Sequence, residues 1–161
     1  MSNLKTKQQT EIAVKTFRNK VVALEEELLA SEDSNVVKGN SDFFPLTHSF
    51  SDGVYIREMK MAEGGMVVGK IHNRSHTWFL LKGHLLIATE KGTFDYKAPT
   101  YVNADAGSKR VIKALEDSIF VNVHPNPDNI TNTDELEKIL TCVSYKEYED
   151  MNCKNILIWA W

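Results

Sequence analysis

Between Pro45 and His124 the chain consists of short runs rich in β-branched and aromatic residues, separated by turns that contain glycine. Strand-length runs at this spacing are typical of an all-β sandwich or barrel. Gly64, Gly83 and Gly107 are expected at strand reversals, where a positive φ is easily reached. The sequence therefore predicts a mainly β fold. The predicted strands are Val54–Met59, Met66–Val68, Trp78–Leu81, Leu85–Ala88, Thr100–Val102, Arg110–Ile112 and Ile119–Val123.

An amphipathic helix is predicted ahead of the β region. From Thr10 to Ala30, apolar residues recur at spacings of three, four, three and four, which places them on one stripe of a helix. We expect the stripe to dock on the β body or on a partner subunit. The acidic run Glu25–Glu27 is expected to be a solvated face. The stripe consists of Val14, Phe17, Val21, Leu24 and Leu28.

The remaining segments complete the predicted organisation. Polar residues from Ser31 to Ser41 indicate a linker. Near the end of the chain, Thr133 can cap a short helix over Asp134–Leu140, and the apolar tail Ile156–Trp161 is expected to pack on the body or across an oligomer interface. The predicted units are the N-terminal helix and linker (1–41), the β domain (42–128) and the C-terminal helix with its apolar tail (129–161).

Composition excludes several classes of protein. The 161 residues suit one domain, and 42% hydrophobic residues are typical of a globular protein. The net charge of -3 produces no large field of one sign, so nucleic acid is not an expected partner. No signal-peptide core and no apolar run near the roughly 18 residues that span a bilayer are found, so we expect a cytoplasmic protein without a membrane partner. Apolar elements at both ends predict a homo-oligomer, most simply a twofold dimer.

One stretch of the β region has the spacing of a known motif. The first cupin motif is Gly, five residues, His, one, His, three or four, Glu, six, Gly. Gly64, Lys70, His72, His76 and Gly83 stand at these positions. Lys70 takes the place of the first histidine, and His76 takes the place of the glutamate. The match is therefore one of spacing more than of identity.

The second cupin motif is recognisable in its turn, from Asp105 to Arg110, with Arg110 where a third histidine would stand. The stretch Pro45–His124 also resembles the small cupin-like proteins common in phage and prophage genomes. This resemblance implies a jelly-roll β-barrel of the cupin fold and a phage setting, hence the host cytoplasm, but no settled activity. The residues that carry it are Gly53–Glu58, Gly69–His72, His76, Lys82–Gly83, Ala98–Pro99, Gly107–Arg110, Glu116–Asp117 and Val123–His124.

The motif positions define a candidate site. Strand alternation predicts that Lys70 and His72 point the same way and that His76 and Trp78 continue along this inner face. In metal-bearing cupins this face and the second motif supply three histidines and a carboxylate. Two cations, Lys70 and Arg110, stand in those places here and oppose a divalent ion. The same residues suit an anion, with Trp78 offering a ring for stacking.

Other residues are candidates for the rim of this site. Arg57 and Glu58 lie on a predicted strand, one of them facing inward, where either would complete or neutralise the site. Glu116–Asp117 is expected to form a turn or to pair with Arg110, and a carboxylate clamping Arg110 would remove it from ligand binding. The candidates for the pocket mouth are His48 and His124.

Three functions remain open on this basis. The favoured one is a module whose pocket binds a small anion, such as a nucleotide, a sugar phosphate or a carboxylate, without metal. The second is a metal-dependent oxygenase, isomerase or lyase that uses His72 and His76 as ligands of Fe, Mn, Ni or Zn, together with an unidentified carboxylate. The third is a structural or assembly protein of a phage. A fold alone does not choose among them.

Overall fold

The computed structural model describes residues 2–36 and 42–157, with the side chains of 6–36 and 42–152. Within these ranges, none of the helices has both the length and the apolar composition of a membrane-spanning segment. The elements in chain order are α1 (Ser2–Ala30), β1 (Leu46–Ser51), β2 (Gly53–Met61), β3 (Met66–Val68), β4 (Ile71–His72), β5 (His76–Lys82), β6 (His84–Thr89), β7 (Gly92–Lys97), β8 (Thr100–Ala104), β9 (Val111–Ala114), β10 (Ser118–Asn126), α2 (Thr133–Leu140), β11 (Thr141–Cys142) and α3 (Tyr145–Leu157).

The strands form two antiparallel sheets, one with the order β1-β2-β10-β5-β8 and the other with the order β3-β9-β6-β7. Their pairing is nested, because β2 pairs with β10, β3 with β9, β5 with β8, and β6 with β7. A chain folded over in this way and wrapped across two sheets is a jelly roll. The predicted mainly β jelly roll with helices at both ends is confirmed.

The two sheets do not close into the barrel that the sequence predicted. Among the described residues, no ladder of hydrogen bonds joins one sheet to the other, and β4 pairs separately with β11. The second sheet ends at β3, which is only three residues long and pairs with β9 alone. The two sheets therefore pack face to face as a sandwich.

The hydrophobic core lies between the two sheets. Alternate residues of β2, β5, β6, β9 and β10 point into it, as the two-residue period of a strand requires. A smaller cluster joins Tyr55 of β2 to Leu136 and Leu140 of α2, so this helix covers the part of the sandwich where Tyr55 lies. The main core consists of Met59, Met61, Trp78, Leu80, Leu85, Ile87, Ile112, Ala114 and Phe120.

Helix α1 docks on the chain's own body along the predicted stripe. It begins at Ser2, eight residues before the predicted start, and the five stripe residues are its buried or half-buried apolar positions. Val21 is the most deeply buried of them, with 3% of its surface exposed. Beside the stripe, Arg18 binds Glu90 at 2.6 Å, and its guanidinium lies 4.3 Å from the centre of the Tyr145 ring.

The acidic run on α1 differs from the prediction of a solvated face. Both carboxylate oxygens of Glu25 lie 2.9 Å from Nζ of Lys109, whose side chain is only 2% exposed. Glu25 is therefore half-buried because it balances the charge of a buried cation.

The C-terminal helices also differ in detail from the prediction. Helix α2 begins at Thr133, but its cap is Asn132, whose side chain accepts a hydrogen bond from the Asp134 N–H at 3.0 Å. The predicted cap, Thr133, is the first helical residue instead. Helix α3 was not predicted. The side chains of the apolar tail Ile156–Trp161 lie outside the described residues, so its predicted packing stays a prediction.

Candidate ligand-binding site

Three strands and one connecting segment bring polar residues together inside the sandwich. His76 lies at the start of β5, and the neighbouring strand β10 contributes Asn122 and His124. Strand β4 contributes His72, whose backbone N–H donates to the Ser108 carbonyl at 3.1 Å. That bond ties His72 to the segment that ends in Arg110. All five polar residues of this interior cluster, His72, His76, Arg110, Asn122 and His124, are less than 9% exposed.

The three imidazole rings of the interior cluster are stacked. The ring centres of His72 and His76 are 4.1 Å apart, and those of His76 and His124 are 4.6 Å apart. The sequence predicted that His72 and His76 belong together, and it assigned His124 to the pocket mouth. His124 is instead a central member of the cluster, with 4% of its surface exposed.

Arg110 lies among these rings. Its Nη2 is 2.9 Å from Nε2 of His72 and 2.9 Å from Nε2 of His76, and it is 3.5 Å from Oδ1 of Asn122. A guanidinium group can only donate hydrogen bonds, so both Nε2 atoms must accept. The two imidazoles are therefore neutral and carry their proton on Nδ1.

Burial and the charge of Arg110 keep these histidines neutral. Desolvation, followed by the nearby Arg110, lowers the pKa of His72 well below its usual value. The same two causes lower the pKa of His76 to about 4. Burial, then His76 and Arg110, lowers the pKa of His124 to about 3. At neutral pH the cluster therefore holds one cation surrounded by three uncharged rings.

No carboxylate of the described residues balances Arg110. Among the described residues no ion pair involves its guanidinium, and burial lowers its pKa to about 10. The expected pairing with Glu116–Asp117 is not formed, because Oδ1 of Asp117 accepts a hydrogen bond from the Glu63 N–H at 2.9 Å. Arg110 is thus a buried cation whose nearest partners are neutral.

Several polar atoms at the cluster have no hydrogen-bond partner among the described residues. In the cluster these are two buried nitrogens, Nδ1 of His72 and Nη1 of Arg110. The buried hydroxyl of Ser108, in the segment that leads to Arg110, also has no partner among the described residues. By the tautomer argued above, the His72 nitrogen carries a proton, so both nitrogens are donors. Buried donors without acceptors are costly, and they commonly mark a place where a ligand or a water binds.

Arg57 adds a second cation next to the cluster. It is two residues from each of the buried residues Tyr55 and Met59 on β2, so it shares their inward face while Glu58 faces outward. In the strand register Arg57 lies opposite Asn122. Its charge contributes to lowering the pKa of both His72 and His124. No ion pair or hydrogen bond joins the side chain of Arg57 to another residue in the described part of the chain.

A row of rings leads from the cluster toward the surface. His124 stacks on Tyr55 at 6.0 Å, and Tyr55 stacks on His48 at 5.9 Å with the ring planes 4° apart. The Tyr55 hydroxyl is 2.7 Å from Nδ1 of His48, which is half-buried. Sequence reasoning did not single out Tyr55 or Asn122. Asn122 could have been found from the two-residue period of β10, because it lies on the same face as Phe120 and His124.

Two residues that the sequence assigned to the site lie away from the cluster. Lys70 is exposed, and its Nζ is 3.0 Å from the Glu137 carboxylate. Strand β4 starts only at Ile71, so the alternation that was expected to align Lys70 with His72 does not reach it. Trp78 belongs to the apolar core, where its ring lies 5.1 Å from Phe120 and 5.0 Å from Tyr96.

The three histidines can be tested against a metal ion. One ring nitrogen from each of His72, His76 and His124 can be chosen so that all lie within 4.8 Å of one another, close enough to hold a metal ion. Neutral imidazole is also the form that binds metals. The Nε2 atoms of His72 and His76, however, already accept hydrogen bonds from the guanidinium of Arg110. With Arg110 in this position, the residues do not fit a divalent cation.

Comparison with known proteins gives structural likeness only. No protein-family model matches the chain, and no curated protein matches it. Among solved structures, a cupin superfamily protein from Desulfitobacterium hafniense is 14% identical, with 56% of this chain and 84% of that chain covered at a TM-score of 0.47.

KdgF from a Halomonas species is 13% identical, with 56% of this chain and 88% of that chain covered at a TM-score of 0.48. A cupin domain from Bordetella pertussis is 18% identical, with 55% of this chain and 99% of that chain covered at a TM-score of 0.43. Likeness at this level carries no information about ligand or reaction.

Proposed function

We propose that this protein is a binding module that takes up a small anion at the interior cluster, in direct contact with Arg110. The single observation that carries the proposal is the missing counter-ion. Arg110 is 4% exposed and is hydrogen-bonded only to neutral groups among the described residues. A buried charge without a partner is strongly unfavourable, so a bound anion would remove a cost that the protein bears alone.

The surrounding groups favour an oxyanion over a neutral ligand. Nη1 of Arg110 and Nδ1 of His72 are donors without acceptors, and Arg57 supplies a second inward cation without an ion-pair partner among the described residues. Carboxylates and phosphates are ligands that consist mainly of acceptor oxygens and match arginine well. The ligand classes that fit are a carboxylate, a sugar phosphate and a nucleotide. The phage origin implied by the resemblance stays a prediction.

Isothermal titration calorimetry tests this proposal. Untagged protein in a phosphate-free buffer is titrated with inorganic phosphate, succinate, glucose 6-phosphate and AMP. We expect at least one of them to bind, and the affinity to fall at least about tenfold in Arg110→Gln, because a charge-assisted hydrogen bond contributes more than a neutral one.

Lys113→Gln is the matched control, because it removes an exposed cation from β9 and should leave affinity unchanged. Circular dichroism spectra of all three proteins establish that they are folded. Failure of every probe to bind the wild type, or equal binding by folded Arg110→Gln, would contradict the proposal.

A metal-dependent enzyme is the second candidate, and the three clustered histidines favour it. It requires Arg110 to leave the two Nε2 atoms. Mass spectrometric metal analysis of untagged protein, purified without chelators, discriminates the two functions. About one transition metal per chain that is lost in the His72→Ala/His76→Ala double variant would support the enzyme. Absence of metal from both samples would support the metal-free module.

A further inference from the structure

We infer that the guanidinium of Arg110 takes the place of a metal ion among His72, His76 and His124, so that removing this one side chain converts the cluster into a metal-binding site. The inference goes beyond the proposed function, because it holds whichever anion the protein binds. It assigns to Arg110 a second role, the exclusion of divalent cations from a set of ligands that would otherwise bind them.

The hydrogen bonds of Arg110 are the first support. A metal held by histidines would be bound through ring nitrogens that converge on one point. Nε2 of His72 and Nε2 of His76 do converge, and each is 2.9 Å from the same atom, Nη2 of Arg110. The guanidinium thus uses the lone pairs that a metal would need. The rings are already neutral, and their Nε2 atoms already face one point.

The third histidine completes the set. A ring nitrogen of His124 lies within 4.8 Å of ring nitrogens of both other histidines, and its ring stacks on them at 4.6 Å and 5.4 Å. Three imidazoles are a sufficient protein contribution to a catalytic-type zinc site, with water as the fourth ligand. The cluster therefore has the number and type of ligands that Zn²⁺ or Co²⁺ binds.

Arg110 is also held in its place. Its carbonyl accepts a hydrogen bond from the Gly69 N–H at 2.9 Å, and its guanidinium lies 5.8 Å from the centre of the Phe120 ring. The preceding residue, Lys109, is anchored by Glu25 of α1. A fixed unit charge about 4 Å from a divalent ion in a poorly solvated site would weaken metal binding by a factor on the order of a thousand or more.

Cobalt titration followed by visible absorption tests the inference. Co²⁺ bound by three imidazoles gives absorption bands that free Co²⁺ lacks. We expect the wild type to show no such bands at micromolar Co²⁺, and Arg110→Ala to bind one Co²⁺ per chain with an affinity at least about a thousandfold higher. The triple variant Arg110→Ala/His72→Ala/His76→Ala should lose this gain.

Arg57→Ala is the matched control, because it removes the neighbouring cation but leaves both Nε2 atoms bonded to Arg110. It should behave like the wild type. Stoichiometric Co²⁺ binding by the wild type, an equal gain in Arg57→Ala, or no gain in folded Arg110→Ala would each overturn the inference. Arg110→Ser serves as a second variant with a polar side chain if Arg110→Ala does not fold.

Nitrogen NMR of the wild type provides a measurement that needs no variant. The imidazole signals of His72 and His76 should report protonated Nδ1 and acceptor Nε2, and one equivalent of Zn²⁺ should leave them unchanged. Zinc-dependent shifts of these signals would overturn the inference. This outcome is separable from the proposed function, because anion binding is measured by calorimetry in the absence of metal.

Discussion

Two adjacent buried cations, Lys109 and Arg110, have different partners: Lys109 has a carboxylate, and Arg110 has only neutral groups among the described residues. Lys109 points toward helix α1, where both carboxylate oxygens of Glu25 bind its ammonium group at 2.9 Å. Arg110 points into the sandwich and meets neutral imidazoles and an amide. The described residues thus supply a counter-ion for Lys109 but none for Arg110. The comparison therefore separates a structural ion pair from a buried cation that, under the proposed function, binds the ligand.

The largest expected effect is the pH dependence of stability that the histidines around Arg110 produce. The pKa values of His76 and His124 are lowered to about 4 and about 3, so between these values and 6.5 the unfolded chain binds more protons than the folded one. The free energy of unfolding should thus fall as the pH drops below 6.5. Between pH 7 and pH 5 we expect a loss of about 2 kcal/mol per histidine of the cluster, measured by urea denaturation.

His124→Asn should flatten this pH dependence by about the share of one histidine, since its amide does not titrate. His84→Asn is the matched control, because His84 lies outside the interior cluster and binds Asp95. If the wild type and His124→Asn lose the same free energy between pH 7 and pH 5, the pKa of His124 is not lowered in the folded protein and its place in this account of the cluster is wrong.

The paired side is tested by Glu25→Gln. This change leaves the ammonium of Lys109, 2% exposed, without its counter-ion, and breaking a buried pair costs about 3 kcal/mol. The free energy of unfolding measured in urea should fall by that amount. Glu26→Gln, at an exposed position one residue later, should change it by less than about 0.5 kcal/mol. Equal effects of the two variants would mean that Lys109 does not depend on Glu25.

The smallest expected effect belongs to an exposed cation. Lys70 pairs with Glu137, but both side chains are nearly half exposed, and water and salt screen such pairs. Lys70→Ala should therefore change the free energy of unfolding by no more than about 0.5 kcal/mol and leave anion binding intact. A loss of anion affinity comparable to that of Arg110→Gln would place Lys70 back in the site, as the sequence predicted.

The parts of the fold that sequence patterns predicted are those with strong alternation. Strand β10 contains buried apolar residues such as Phe120, and its prediction from Ile119 to Val123 falls inside the observed strand. Strand β7, by contrast, is exposed at every position except Tyr96, and its two apolar residues, Phe94 and Tyr96, are too few to establish a period. Strand β1 is equally exposed apart from Leu46 and His48. Both strands are held by pairing with a neighbour rather than by burial.

Sequence patterns predicted which residues form part of the site, but not how they are arranged. Motif spacing selected His72, His76 and Arg110, and these residues lie together. Their arrangement could not follow from spacing, because it depends on the short strand β4 and on the segment before β9. The pairing of Lys70 with Glu137 depends on α2, which approaches from a distant part of the sequence. Contacts of that kind are set by tertiary packing, which local patterns do not encode.

The nested strand pairing has a consequence for how the chain reaches its native state. Strands β2 and β10 pair although the whole segment 62–117 separates them. The interior cluster joins Asn122 and His124 of β10 to three residues from inside this long loop, His72, His76 and Arg110. Closing such loops is entropically costly, so topologies of this kind fold slowly. Because Asn122 and His124 lie on β10, the cluster cannot assemble until β10 pairs with β5, and we expect this long-range step late in folding. A bound anion would then stabilise the native state alone, and it should slow unfolding without accelerating folding.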